Sequence, residues 1–247
     1  MNKVLIVGMG EVGLAHANIL SKSYEVKGID LDIEKVPQEF RIGKDEIFNC
    51  SVMLVAIPYS EDFVKTVSEL IKIHKPSHFV NVLSTVPPGT CEKIGPSVSH
   101  STTRGLHPNL ENGLLNIIKH IGGHNHQDVS NFYKKAGIST ISTGQARTTE
   151  MAHILNNCSY GINLIWADEM QKLCRTFGVD YFEAVMLYTL SNNVGFQKIS
   201  QASKSRMILT PPNGKIGGHC VVQAANLIEE NLRTPMLKIL SKYNERN

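Results

Sequence analysis

The chain has 247 residues, room for one large or two modest domains at roughly 100–200 residues each. Its apolar share of 42% supports a real core, while a formal net charge of +3, dispersed along the chain, argues against a nucleic-acid partner. The longest apolar run, near Val52 to Ile57, is far too short for a bilayer, and five cysteines without paired spacing point to reduced thiols in a cytoplasm.

Lys3 to Val7 is a β-branched, apolar run that suits a buried parallel strand. It leads into Gly8-Met9-Gly10-Glu11-Val12-Gly13 and then a helix over about Val12 to Ser21. Gly8 permits a tight turn, Gly10 removes a side chain that would block a pyrophosphate, and Gly13 lets the helix lie close to the sheet. The helix amides, those of Glu11 and Val12 included, then face an anion where the helix dipole favours it. A second strand, Tyr24 to Ile29, ends in Asp30, whose carboxylate suits two ribose hydroxyls and repels a 2′-phosphate. The expected cofactor is therefore NAD.

Ser51 to Ile57 is a further buried strand, closed by Pro58, and Glu61 to His74 has helical spacing. His78 to Leu83 leads into Ser84-Thr85-Val86-Pro87-Pro88-Gly89-Thr90. Arg104 to His107, Ile117 to Gly122 and Ile138 to Ser142 read as short later strands. Strands alternating with helices predict a doubly wound parallel sheet of the Rossmann type, an α/β domain over residues 1–144.

From Gln145 to Phe177 the chain lacks proline, has one glycine, and repeats apolar residues at helical spacing. One helix of this length would span roughly 50 Å. It is expected to connect the first domain to a small all-helical domain over residues 145–247 and to pack against a second copy, giving a homodimer. Asp180 to Leu190, Val221 to Leu232 and Pro235 to Tyr243 supply further helices.

Four groups of residues invite chemistry. Thr210 to Cys220 is a loop shaped by prolines and glycines, with Lys215, Gly217, Gly218 and His219 ahead of Cys220. A thiol at a helix start is acidified, so Cys220 reads either as a nucleophile toward a carbonyl or as a small buried residue. Glu150, His153 and Asn157 share one helix face, which suits a solvated surface or an active site. His107, beside Pro108 and Asn109 at the expected carboxyl edge of the sheet, reads as a structural histidine or a general base. His124-Asn125-His126 has no further ligand cluster, so a solvated loop is expected there and no metal.

In these segments the chain resembles the UDP-glucose/GDP-mannose (nucleotide-sugar) dehydrogenase family. Val7 to Gly13 with Asp30 resembles its NAD turn, Ser84 to Thr90 its S-T-V-P-P-G-T segment, Thr149-Glu150-Met151 the start of its long helix, and Gly217 to Cys220 its G-G-x-C loop. The resemblance implies oxidation of a sugar C6 alcohol with NAD, with Thr85 and Cys220 at catalytic positions, Asn157 kept, and Asn109, Glu150, Lys215, Gly217 and Gly218 near substrate. The family has a catalytic lysine where this chain has His153, and a glutamate where it has Asn109. After the cysteine, Gln223 and Ala224 replace a lysine or valine and then an aspartate. The resemblance thus implies an oxidoreductase on a sugar or nucleotide-sugar-like alcohol with altered catalytic residues, or a catalytically degraded dinucleotide-binding protein. Gly105-Leu106-His107-Pro108 also resembles the G-x-H-P of prephenate dehydrogenases, which would make His107 the hydroxyl-polarising group.

Overall fold

The computed structural model describes residues 3–43, 46–106, 108–217, 221–229 and 232–246. It divides into two compact units, Met1–His153 and Ile154–Asn247.

The first unit is built on a seven-stranded sheet in the order β2-β1-β3-β4-β5-β6-β7. The strands are β1 (Lys3–Val7), β2 (Glu25–Ile29), β3 (Val52–Val55), β4 (Phe79–Val82), β5 (Val98–Ser101), β6 (Lys119–Gly122) and β7 (Thr140–Thr143). The order reverses at β1, which lies between β2 and β3, so a switch point stands at the carboxyl end of β1. Helices α1 (Glu11–Leu20), α2 (Phe63–His74), α3 (Thr90–Ile94), α4 (Leu110–Asn116) and α5 (His126–Lys135) connect the strands. Two apolar clusters, one containing Val4, Ile6, Leu54 and Ile121, the other Leu5, Val7, Met53 and Val80, form the core. Alternate residues of β1 feed different clusters, as the two-residue period of a strand requires.

Two sequence expectations are corrected. The fifth strand is Val98–Ser101, not Arg104 to His107; Leu106 makes only an isolated bridge to Asn109, and His107 lies outside the described residues. The sheet is not wholly parallel: β6 runs antiparallel to β5, with His100 opposite Gly122 and Ser101 opposite Ile121, while β7 is parallel to β6.

Helix α6 (Ala146–Thr176) is continuous over 31 residues, and the division between the units falls inside it. The second unit adds a π-helical turn, Phe182–Leu187, running into α7 (Tyr188–Lys198), then α8 (Val221–Asn226) and α9 (Pro235–Arg246). The expected helix from Val221 to Leu232 is thus a shorter one. Ile154, Cys158, Ile216, Ala224, Leu240 and Tyr243 form its core. A Cβ on Gly161 would lie 2.7 Å from both Leu240 and Val221 side chains, so glycine permits this close packing. No helix among the described residues is long and apolar enough to cross a membrane.

Candidate active site

The glycine turn is fixed by the switch point around it. Gly8 has φ +89°, and a Cβ on it would lie 2.6 Å from the Ala56 carbonyl oxygen. A Cβ on Gly13 would lie 1.9 Å from the Gly8 carbonyl oxygen, so the helix can sit this close only with glycine. Gly10 differs: a Cβ there would meet nothing within 4 Å. It is exposed, at the N-cap of α1, where the first helical amides have no acceptor within the helix.

Asp30 is anchored beside this turn. One carboxylate oxygen accepts the Met9 amide at 2.7 Å, and the other accepts the Asp32 amide at 3.0 Å. Each oxygen retains capacity for a further donor. The ends of the next strands complete the edge. Pro58 is exposed after β3, and the Ser84 hydroxyl donates to the Ile57 carbonyl at 2.6 Å, which places Thr85 at the same edge. Gly8, Gly10, Glu11, Val12, Gly13, Asp30, Pro58, Ser84 and Thr85 therefore share the carboxyl edge of β1 to β4.

The start of α6 holds the Ser84–Thr90 segment from both ends. Glu150 is fully buried, and its carboxylate accepts the Gly89 amide at 2.5 Å and the Cys91 amide at 2.8 Å. Glu150 is thus neither a solvated surface residue nor turned toward a substrate; it caps α3. Its neighbour Thr149 lies 3.0 Å from Nδ1 of His100, whose Nε2 donates to the Ser84 carbonyl at 3.2 Å. Burial and the neighbouring His153 hold His100 down at about 3, although the bond to Ser84 opposes this.

His153 lies one turn beyond Glu150. Its ring centroid is 6.3 Å from that of His100, and its Nδ1 is buried without a partner. Burial, then the charges of Lys119 and Arg104, push it down to about 4, so it is neutral near pH 7. Asn157, four residues along the same helix, has its Nδ2 buried and unpartnered. Asn109 is exposed at the N-cap of α4. Within the second unit, Lys215 and Gly217 are exposed in a loop whose Ile216 amide and carbonyl both bond the Asn244 side chain. His107, Gly218, His219 and Cys220 lie outside the described residues. No group of three or more potential metal ligands occurs among the described residues.

Sequence reasoning missed His16, Thr103, Arg104 and Lys119. Lys119 is a lone cation inside the apolar run Ile117 to Ile121, and that was the available signal.

No family model matches the chain. It is 24% identical over 267 residues to UDP-N-acetyl-D-mannosamine dehydrogenase of Methanococcus maripaludis, covering 90% of this chain and 60% of that protein. A Pyrococcus horikoshii protein of the same name is 22% identical, with 99% of this chain covered. Over about nine-tenths of its length the chain is therefore similar to nucleotide-sugar dehydrogenases, and it shares their fold. It spans about 60% of the length of the first curated relatives it matches. The solved structure of the Pyrococcus horikoshii UDP-D-ManNAc dehydrogenase superposes with a TM-score of 0.77 at 21% identity, over 99% of this chain and 68% of that one. The fold is shared more widely: 3-hydroxyisobutyrate dehydrogenase of Mycobacterium tuberculosis gives a TM-score of 0.73 at 14% identity, covering all of this chain and 93% of that chain. Dehydrogenase relatives with this fold imply a nicotinamide dinucleotide cofactor, and the turn at Gly10 is left clear of other atoms.

Proposed function

We propose that the chain is an NAD-dependent oxidoreductase acting on an alcohol of a sugar or nucleotide-sugar-like substrate. The observation that supports this best is the Asp30 carboxylate, held beside the open Gly10 turn with a lone pair to spare on each oxygen. Two ribose hydroxyls can donate to it, whereas a 2′-phosphate would face a like charge. When bound, NAD supplies the hydride acceptor.

The chain's own residues do the rest. The turn and the α1 amides bind the diphosphate, and Ser84 and Thr85 border the nicotinamide end of the cleft. His153, neutral and with Nδ1 unpartnered, accepts the hydroxyl proton as hydride leaves. Asn157 supplies an amide donor for the developing carbonyl. Cys220 is the candidate to trap an aldehyde; Gln223 and Ala224 offer no carboxylate for a following hydrolysis. Lys215, Gly217 and Gly218 are the candidate substrate contacts in this scheme.

The second unit exposes Trp166, Phe177, Tyr188 and Ile199, which favours a homodimer. Cys50, Cys91, Cys158 and Cys174 are buried free thiols, in keeping with a cytoplasmic setting.

A second reading, a dinucleotide-binding protein without catalysis, is favoured by the engagement of both Glu150 oxygens in a structural cap. NADH formation with UDP-N-acetylmannosamine and UDP-glucose separates the two. The first expects turnover that is lost in His153→Ala. NAD binding with no turnover on any nucleotide sugar supports the second.

A further inference from the structure

Past the end of β5 the first unit collects positive charge, and no ion pair among the described residues balances it. Because β6 is antiparallel, it starts at the edge where β1 to β5 finish. Lys119, its first residue, is thereby placed opposite the end of β5, near Thr103 and Arg104. Open α/β sheets bind ligands at this edge.

Lys119 is 2% exposed. Its Nζ lies 3.0 Å from the Thr102 carbonyl, 3.3 Å from Nε2 of His16 on α1, and 4.8 Å from the centre of the Tyr133 ring on α5. Since His16 Nδ1 bonds the Val12 carbonyl, its Nε2 is left to accept from the amine. The Arg104 guanidinium rests on the Ile118 carbonyl. His100 on β5 and His153 on α6 complete the surroundings, and both feel the charge of Lys119. No ion pair among the described residues involves Arg104, Lys119, His100 or His153.

A buried ammonium without a counter-charge is strongly disfavoured. The amine responds by losing its proton readily: burial and Arg104 bring it down to about 7. A purely structural amine would be satisfied by Thr102 and His16. That role leaves unexplained why Arg104 stands beside it, and why the Thr103 hydroxyl and His153 Nδ1 are both buried without partners.

We propose that Arg104, Lys119 and the Thr103 hydroxyl form, beside His153, an oxyanion site that takes a carboxylate or phosphate carried by the ligand. As a statement about the substrate it rests on the dehydrogenase reading; as a statement about anion binding it does not. The ligand then brings the missing counter-charge. Lys119 takes up a proton as the anion enters, and His153 becomes a stronger base only when the anion is in place. An anionic substrate would thus prepare the group that receives its hydroxyl proton.

Histidine-labelled full-length protein, with and without NAD, is titrated with acetate, with inorganic phosphate and with neutral acetamide. Imidazole resonances and proton uptake are recorded. The expected result is saturable binding of at least one anion, a rise in the His153 pKa, and proton uptake that is large near about pH 8 and small near about pH 6. Acetamide should do none of this. Lys119→Met, which keeps the apolar stem, and Arg104→Gln should each weaken the anion at least about tenfold and leave NAD binding intact. Preference for acetate or for phosphate identifies the group. Anions no better than acetamide, or both variants binding like the parent, would overturn the site. If anions bind and NAD does not, the dehydrogenase reading fails and the site stands. If NAD binds and anions do not, the site alone fails.

Discussion

Glu150 on the long helix accepts the Cys91 amide at 2.8 Å, and its second oxygen accepts the Gly89 amide. One buried side chain thus fixes the loop that follows Thr85 to the helix that carries His153. Glu150→Gln turns an amide NH₂ toward one of those two donors. Its expected cost is about 2 kcal/mol, from losing a charged, buried acceptor. The exposed Arg147–Glu92 pair gives the contrast, since Glu92→Gln should cost less than about 1 kcal/mol. Urea unfolding of both variants measures this; equal effects would deny Glu150 its anchoring role.

The glycine turn separates fold from binding. Gly13→Ala drives a methyl into the Gly8 carbonyl and should destabilise the protein by more than about 2 kcal/mol. Gly10→Ala enters open space and should stay within about 1 kcal/mol of the parent. Its methyl would occupy the space assigned to the diphosphate, so NAD affinity should fall at least about tenfold. Thermal unfolding paired with calorimetry distinguishes the two outcomes.

Buried bases set the pH dependence of stability. Lys119 drops from its ordinary 10.5 to about 7 on folding. Between those values the unfolded chain holds more protons, so stability rises with pH across that window. Lys119→Met should abolish that slope and be the more stable protein near about pH 7. His100 and His153, held at about 3 and about 4, act in the same direction at lower pH. Stability present at about pH 7 should fall as pH drops from about 6.5 toward 4. Denaturant midpoints across this range check both limbs, and a flat profile would contradict them.

Phe177 and Tyr188, 77% and 67% exposed, belong to the apolar surface of the second unit. Sedimentation should give a dimer at micromolar concentration, and Phe177→Glu with Tyr188→Glu should shift it to monomer. A monomeric parent protein would remove the homodimer from the account.

Much of this was legible in the sequence because local chemistry was strong. The turn at Gly8 to Gly13, the acid at Asp30 and the long α6 each carry a signal that tertiary packing reinforces. β5 was not legible. Val98-Ser99-His100-Ser101 is fully buried yet mostly polar, because Asn81, Thr149 and Ser84 satisfy its side chains. Apolar periodicity cannot reveal such a strand, and Arg104 to His107 was read in its place. The same gap hid the antiparallel β6, and with it the placement of Lys119 at the ligand edge. Glu150 misled for a related reason: its acceptors are filled by backbone amides about 60 positions away, and spacing on one helix says nothing of those.

The central claim is that Asp30 and the Gly10 turn select NAD. Isothermal calorimetry with NAD and NADP, on the parent protein and on Asp30→Ala, tests it most directly. The account predicts NAD binding at least about tenfold tighter than NADP in the parent, with that preference lost in the variant. Absence of heat for either dinucleotide, or a parent that prefers NADP, would contradict it.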